Sequence, residues 1–277
     1  MRIRIRHRTT YAFEAPMRWI TQSHRLTPSV CAGQRVLDWS VTAEAASFGA
    51  SFIDGGGDEI RTMTIAGPVG QVSVLVEGTV ETTDTAGVLR DHRELIAPIV
   101  YLVTTAAIRP SPALVELKEA ALAGHDLSDS LGAAHRLSAA VADAIAYVPG
   151  ATHAHTTAAE ALEQGEGVCQ DHAHALIALA HLAGLPARYV VGYLLSRDDG
   201  APEEASHAWT EIHLPGLGWV GFDPANRCCP DDRYVRLGSG RDARDAAPIR
   251  GVSRGGAGEA IEVAVEVWDA ARKQSQQ

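Results

Sequence analysis

Residues 165–174 read Gly-Glu-Gly-Val-Cys-Gln-Asp-His-Ala-His, and the run that follows at 173–184, AHALIALAHLAG, is almost wholly apolar. Gly165 and Gly167 allow a tight approach to a turn. Gly184 and the nearby Pro186 are stop signals for a helix. Between them the composition predicts a buried helix of about four turns with Cys169 in its first turn. A helix N-terminus offers free N–H groups and a partial positive charge, and both favour a thiolate over a thiol. Cys169 is therefore a candidate nucleophile. The ordinary alternative is an inert core cysteine, the commonest use of a free thiol.

The 277 residues are 46% hydrophobic, enough for a sizeable core and against disorder. The formal net charge of -10 argues against nucleic acid or an anionic membrane surface as partner. Four cysteines, Cys31, Cys169, Cys228 and Cys229, make no disulfide framework in a chain this long, and the adjacent Cys228 and Cys229 would bridge only with strain. MRIRIRHRTT at the start lacks the apolar segment of a signal peptide, and no stretch approaches the length of a membrane span. The expectation is a soluble, cytoplasmic protein with reduced thiols. Cys169, His172, His174, Cys228 and Cys229 could be imagined as a zinc set, but zinc prefers separated Cys pairs, so no metal and no cofactor is expected.

Residues 1–83 read as an antiparallel β-sandwich module. Its strands fall at 2–13, 17–27 and 35–44, on either side of Gly55-Gly56-Gly57, and after a turn at Gly67-Pro68. No charged cluster in it points to chemistry, and its arginines read as a solvated face. Residues 84–112 are a connection containing Pro98, Pro110 and Pro112. Helices follow: one from Ser111-Pro112 to Gly124, a second capped by Asp126 or Ser128 and running to Pro149-Gly150, and a short one behind Thr156 and Thr157. After the Cys169 helix come a β run at 187–195, a polar loop at 196–205 and a hairpin. The segment 251–277 holds a last strand at 260–268, which can return to pair with the N-terminal sheet. Helices followed by strands in one block, 113–250, make an α+β core.

The hairpin carries the second half of the chemistry. With Leu214-Pro215-Gly216 as its loop, Glu211 faces Trp219, Trp209 faces Gly221 and His207 faces Asp223. Directly opposed side chains have Cβ atoms about 4.5–5.5 Å apart, within reach of an imidazole–carboxylate hydrogen bond. An imidazole so held can take a thiol proton and later protonate a leaving group. The carboxylate fixes its tautomer and stabilises the imidazolium. Trp209 would shield the pair from water or simply pack.

GEGVCQDHAHALIALAHLAGLPARYVVGYL, SHAWTEIHLPGLGWVGFDPAN and GRDARDAAPIRG together resemble the bacterial transglutaminase-like proteins, and the β module resembles the N-terminal region these proteins carry. The resemblance is strong over about residues 100–250. It implies a papain-like core of helices packed on an antiparallel sheet, with the nucleophile on Cys169 in GxCQD, the base on His207 in HAW and the orienting acid on Asp223 in FDP. Tissue transglutaminases of the same superfamily place a tryptophan upstream of the nucleophile. Here Trp19, Trp39, Trp209, Trp219 and Trp268 all lie elsewhere, which leaves the second oxyanion donor open. Tyr147, Asp171, His172 and Trp209 are candidates for oxyanion or cleft contacts. His153 and His155 read as solvated. No calcium-loop pattern appears. The tyrosine that often follows GRD is replaced by Ala243, and Arg241, Asp242 and Asp245 read as a structural brace.

The resemblance implies a cysteine hydrolase of amide bonds, a peptidase or amidase working through a thioester acyl-enzyme on a peptide or protein. The alternatives are a protein-glutamine gamma-glutamyltransferase, which passes the acyl group to an amine, and a non-catalytic scaffold that keeps the fold. A free edge strand in the module could pair with a second copy.

Overall fold

Ile3, Ile5, His7 and Thr9 alternate with Arg2, Arg4, Arg6 and Arg8, and this alternation builds the first strand. Its odd side chains are buried and its arginines face outward. The strand does not stop at residue 13. β1 runs Arg2–His24 and is paired along its length with β4, Glu59–Thr82. Two expected breaks, after residue 13 and at Gly67-Pro68, are therefore bends inside long strands. The register slips between Ala12 and Trp19, directly across from Gly67-Pro68, so both strands bend together and the ladder resumes. Gly67 is required there, since a Cβ would lie 2.0 Å from the Met17 carbonyl oxygen.

The computed structural model describes residues 1–126, 128–196 and 206–273. Beyond Ser196, the polar loop expected at 196–205 lies outside the described residues, as do the last four residues of the tail. β2 (Gln34–Ala43) and β3 (Ser47–Ile53) flank β4, and two C-terminal strands, β11 (Ile249–Arg254) and β12 (Ala260–Asp269), flank β1. All six form one antiparallel sheet. A four-residue helix, α5 (Ala270–Lys273), follows β12.

α1 (Pro112–Leu122) starts on Ser111, whose hydroxyl accepts from the Leu114 N–H. α2 (Ser130–Ala144) is capped by Asp129 rather than by Asp126 or Ser128. Asp126 instead binds Ser128 and shapes the preceding turn. α2 also ends earlier than expected. Ile145 is extended, and Ala146–Tyr147 (β5) pairs in parallel with Glu166–Gly167 (β6). α3 (Ala158–Gln164) carries a Thr157–Glu160 capping box. α4 (Cys169–Leu182) is buried on every side over most of its length, as its composition demands. It packs on an antiparallel sheet of order β10-β7-β8-β9, formed by β7 (Ala187–Leu194), β8 (Ser206–Leu214), β9 (Gly218–Phe222) and β10 (Tyr234–Gly240). One apolar cluster joins α4, α2 and this sheet to Ile3, Ile5 and Val80 of the long strands. No helix among the described residues is long and apolar enough to cross a membrane.

The junction between the two sheets is charged, contrary to the sequence reading of the module. Buried Arg236 on β10 reaches Glu211 on β8 at 2.9 Å and Asp58 before β4 at 2.8 Å. Arg188 on β7 binds the same Glu211 at 2.7 Å and also Glu94 of the connection. Arg25 bridges Asp54 at 2.8 Å, with its Nε 3.7 Å from Asp58. Arg2, Arg4, Arg6 and Arg35, paired with Glu81, Asp38, Glu77 and again Glu81, do lie on the solvated face the sequence suggested. Sequence separation hid the rest.

Burial pushes three histidines, His7, His24 and His174, down to about 4. For His24 the Arg61 charge adds to this. Unfolding exposes them to their ordinary value of 6.5, so between these two values the unfolded chain binds more protons. Their contribution to stability should therefore be full above about pH 6.5 and fall steadily as the pH drops to about 4. Urea melts at pH 7, 5.5 and 4.5 check this, and a midpoint that stays flat across them would contradict it.

Candidate active site

The turn that presents Cys169 is built from its own residues. Gly165 ends α3 in the left-handed region at φ 70°. Gly167 lies against Asp171, where a Cβ would come within 2.8 Å of its side chain. The Asp171 carboxylate accepts the Val168 N–H at 2.8 Å and the Thr152 hydroxyl at 2.6 Å on one oxygen. This pins the start of α4 to the 148–157 loop and leaves Cys169 as the first helical residue, 8% exposed. His172 sets its two ring nitrogens 2.9 Å from the Val168 and Ile145 carbonyl oxygens. Asp171 and His172 are thus buried braces of the turn. Tyr147 is 46% exposed, with its ring beside that of His172. His153 and His155 are exposed.

Thr210 on β8 donates to the Ala173 carbonyl at 3.1 Å and fixes α4 to the sheet. Toward the start of that strand, His207 lies within hydrogen-bonding reach of the Cys169 sulfur. The hairpin register differs from the expected one by two residues: Thr210 faces Phe222, Glu211 faces Gly221 and His213 faces Trp219. Leu214, expected in the loop, instead pairs with Gly218, so the tip is Pro215-Gly216-Leu217, with Gly216 and Gly218 both at φ 78°. His207 and Asp223 are then diagonal rather than directly opposed. The two-residue change preserves the face on which each side chain lies. They still meet, with His207 Nε2 2.6 Å from Asp223 Oδ2.

Burial alone would lower the His207 pKa. Hydrogen bonds to Asp223 and Cys169, and the charges of both, override this and push it up to about 10. Burial opposes the Asp223 charge in the same way, and the donors around it hold its carboxyl below the usual range. Two of those donors went unread in the sequence. Asn226 gives its backbone N–H at 3.2 Å and its side-chain amide at 2.8 Å, and Tyr234 gives its hydroxyl at 2.7 Å. Asn226, three residues after Asp223, carried a legible Asx-type signal. Tyr234 did not, because it lies two strands away from β8.

Trp209 is buried and stacks on His207, with ring centroids 6.4 Å apart. His174 lies inside, accepting the Ala243 N–H at 3.0 Å, a main-chain contact that needs no tyrosine at 243. Arg241 binds Asp245, and Asp242 accepts the Asp245 N–H, a local brace. All four cysteines are free. Among the described residues, no group of three His, Cys, Asp or Glu side chains is placed to hold a metal.

Two family patterns match this chain. The transglutaminase-like superfamily core matches residues 120–224, and the bacterial transglutaminase-like N-terminal region matches residues 3–81. An uncharacterized protein of Mycobacterium leprae is 28% identical over 96% of this chain and 98% of its own length. An uncharacterized protein of Mycobacterium tuberculosis is 39% identical, but over 38% of this chain and 37% of its own length. Among solved structures, a candidate cysteine protease from Cytophaga hutchinsonii superposes with a TM-score of 0.72 at 22% identity, covering 97% of this chain and 90% of that one, a likeness of fold. The core pattern, which brackets Cys169, His207 and Asp223, and the N-terminal pattern before it together make this a transglutaminase-like protein with a bacterial transglutaminase-like N-terminal region.

Proposed function

We propose that this protein is a cysteine hydrolase of amide bonds, a peptidase or amidase. The observation that carries the reading is the single imidazole of His207, held by Asp223 on one ring nitrogen and within reach of the Cys169 sulfur. Cys169 gives its proton to His207 and attacks the amide carbonyl. The oxyanion develops at the N-terminus of α4, beside the Cys169 N–H. His207 then protonates the departing amine or ammonia, leaving a thioester on Cys169. Water, deprotonated by His207, releases the acid. Asp223 holds the imidazolium through both steps. The acidic balance favours neutral or basic peptides as substrates. Four free thiols favour a reducing compartment, the cytoplasm.

The test begins with the thiol. Burial pushes Cys31, Cys228 and Cys229 up, the last to about 11. At pH 6 iodoacetamide should label Cys169 well ahead of these three, and His207→Ala should remove that advantage. Equal labelling of Cys169 and Cys31 would favour a non-catalytic scaffold instead. A glutamine peptide offered with a labelled amine separates the chemistries: release of free acid is expected, and dominant amine incorporation would make the protein an acyltransferase.

A further inference from the structure

On β7, Gly192 sits directly across from His207. It has no side chain, and a Cβ there would come within 2.7 Å of the Trp209 ring. The gap lets side chains from β8 and β10 meet across the strand between them. Trp209 and Tyr234 pack edge to face at 5.5 Å, and the Tyr234 ring lies 5.9 Å from that of His207. Tyr234 is buried, and its hydroxyl points at Asp223.

The Asp223 oxygen that faces His207 takes three donors: the imidazole, the Asn226 amide and the Tyr234 hydroxyl. Asn226 is exposed and can exchange its bond with water, whereas Tyr234 cannot. Burial, and next the Asp223 charge, drive the phenol's titration upward, so the hydroxyl remains a donor. With its hydrogen directed at Asp223, the phenol oxygen can accept a hydrogen bond from the Cys228 thiol 3.3 Å away. Cys228 is itself tied to Asp223 through two main-chain hydrogen bonds, at 2.8 and 3.1 Å. A chain of hydrogen bonds from Cys228 through Tyr234 thus backs the Asp223 carboxylate.

We infer that Tyr234 is a positioning residue: its hydroxyl fixes the Asp223 carboxylate, and through it the orientation of the His207 ring toward Cys169. This rests on the reading of Cys169 and His207 as a working pair. The titratable or charged groups facing this corner are Cys169 from α4, His207 from β8, and Asp223, Cys228, Asp231 and Arg233 from the segment between β9 and β10.

The test needs no substrate. Iodoacetate and iodoacetamide alkylate the same sulfur, but only the first is drawn by an imidazolium. The ratio of their rates at Cys169, read on its peptide by mass spectrometry, should fall as His207 loses its proton near pH 10. Tyr234→Phe keeps the ring and removes one donor. The carboxylate becomes more basic, and the fall should move up by roughly half a pH unit. Difluorotyrosine installed at 234 is a stronger donor and should move it down by a similar amount, a second arm that does not depend on the phenylalanine variant folding. Curves for both variants that superpose on the wild type would overturn the inference and leave Tyr234 as packing. If His207→Ala still shows the fall, the imidazole reading itself fails, whatever Tyr234 does.

Discussion

Cys169→Ala should reduce turnover to background while the protein still folds. The loss should be roughly 10⁴–10⁶-fold, the scale seen when a covalent nucleophile is removed and only binding and oxyanion contacts remain. The fold should survive because the turn before α4 is held by other groups. Asp171 binds Val168 and Thr152, and His172 bridges the Val168 and Ile145 carbonyls. Losing one sulfur atom costs on the order of 1 kcal/mol of packing. Asp223→Asn should be milder, about 10²–10⁴-fold, since Tyr234 and the backbone still shape the corner while the imidazolium loses its counter-charge. Turnover of a responsive peptide substrate, measured beside a thermal melt, decides the matter. Retained activity in the folded alanine variant would remove Cys169 from the reaction.

The largest effect on stability should come from Glu211→Gln. Glu211 lies at the centre of the charged junction, 2.7 Å from Arg188 and 2.9 Å from Arg236, and all three are buried. Burial opposes its charge, but the two guanidinium groups overcome that and hold it down at about 2. Neutralising it removes the one carboxylate that both guanidinium groups share and leaves Arg236 with Asp58 and Arg188 with Glu94 alone, which should cost about 3–5 kcal/mol. For a chain of this size the melting temperature should fall by roughly 6–20 °C. The carboxylate's contribution is full above about pH 4.5 and is lost as the pH falls through about 2. The exposed Arg6–Glu77 pair is the control, and Glu77→Gln should shift the melt by no more than about 4 °C. Equal melts for the two variants would show that the junction does not depend on its charges.

The central helix was legible because its signals are local. Gly165, Gly167, Gly184 and Pro186 bound it, and an apolar run that offers no polar face has to be buried. Capping was legible where one side chain reaches its own helix, as with Ser111 and Thr157. Asp126 and Ser128 misled because Asp126, Ser128 and Asp129 lie within four residues and all suit a cap, and Asp129 takes it. The hairpin could be read for the faces of its side chains but not for its register. Several tips containing Pro215, Gly216 and Gly218 suit that turn, and only packing selects one. Likewise Gly67-Pro68 carries a turn signal that the pairing partner overrides.

By itself the sequence determined the placement of a thiol at a helix start, the alternation that buries one face of β1, and the presence of an imidazole and a carboxylate on a hairpin. These follow from chain neighbours, whose geometry is set by periods of 3.6 and 2 residues. Only the tertiary structure decided that Tyr234 reaches Asp223 across Gly192, that Asp58 and Glu211 share Arg236, and that Asp171 and His172 are spent inside the turn. Those contacts join residues far apart in the chain. Their energy comes from desolvation and from charges paired in the interior, which no local pattern of side chains records.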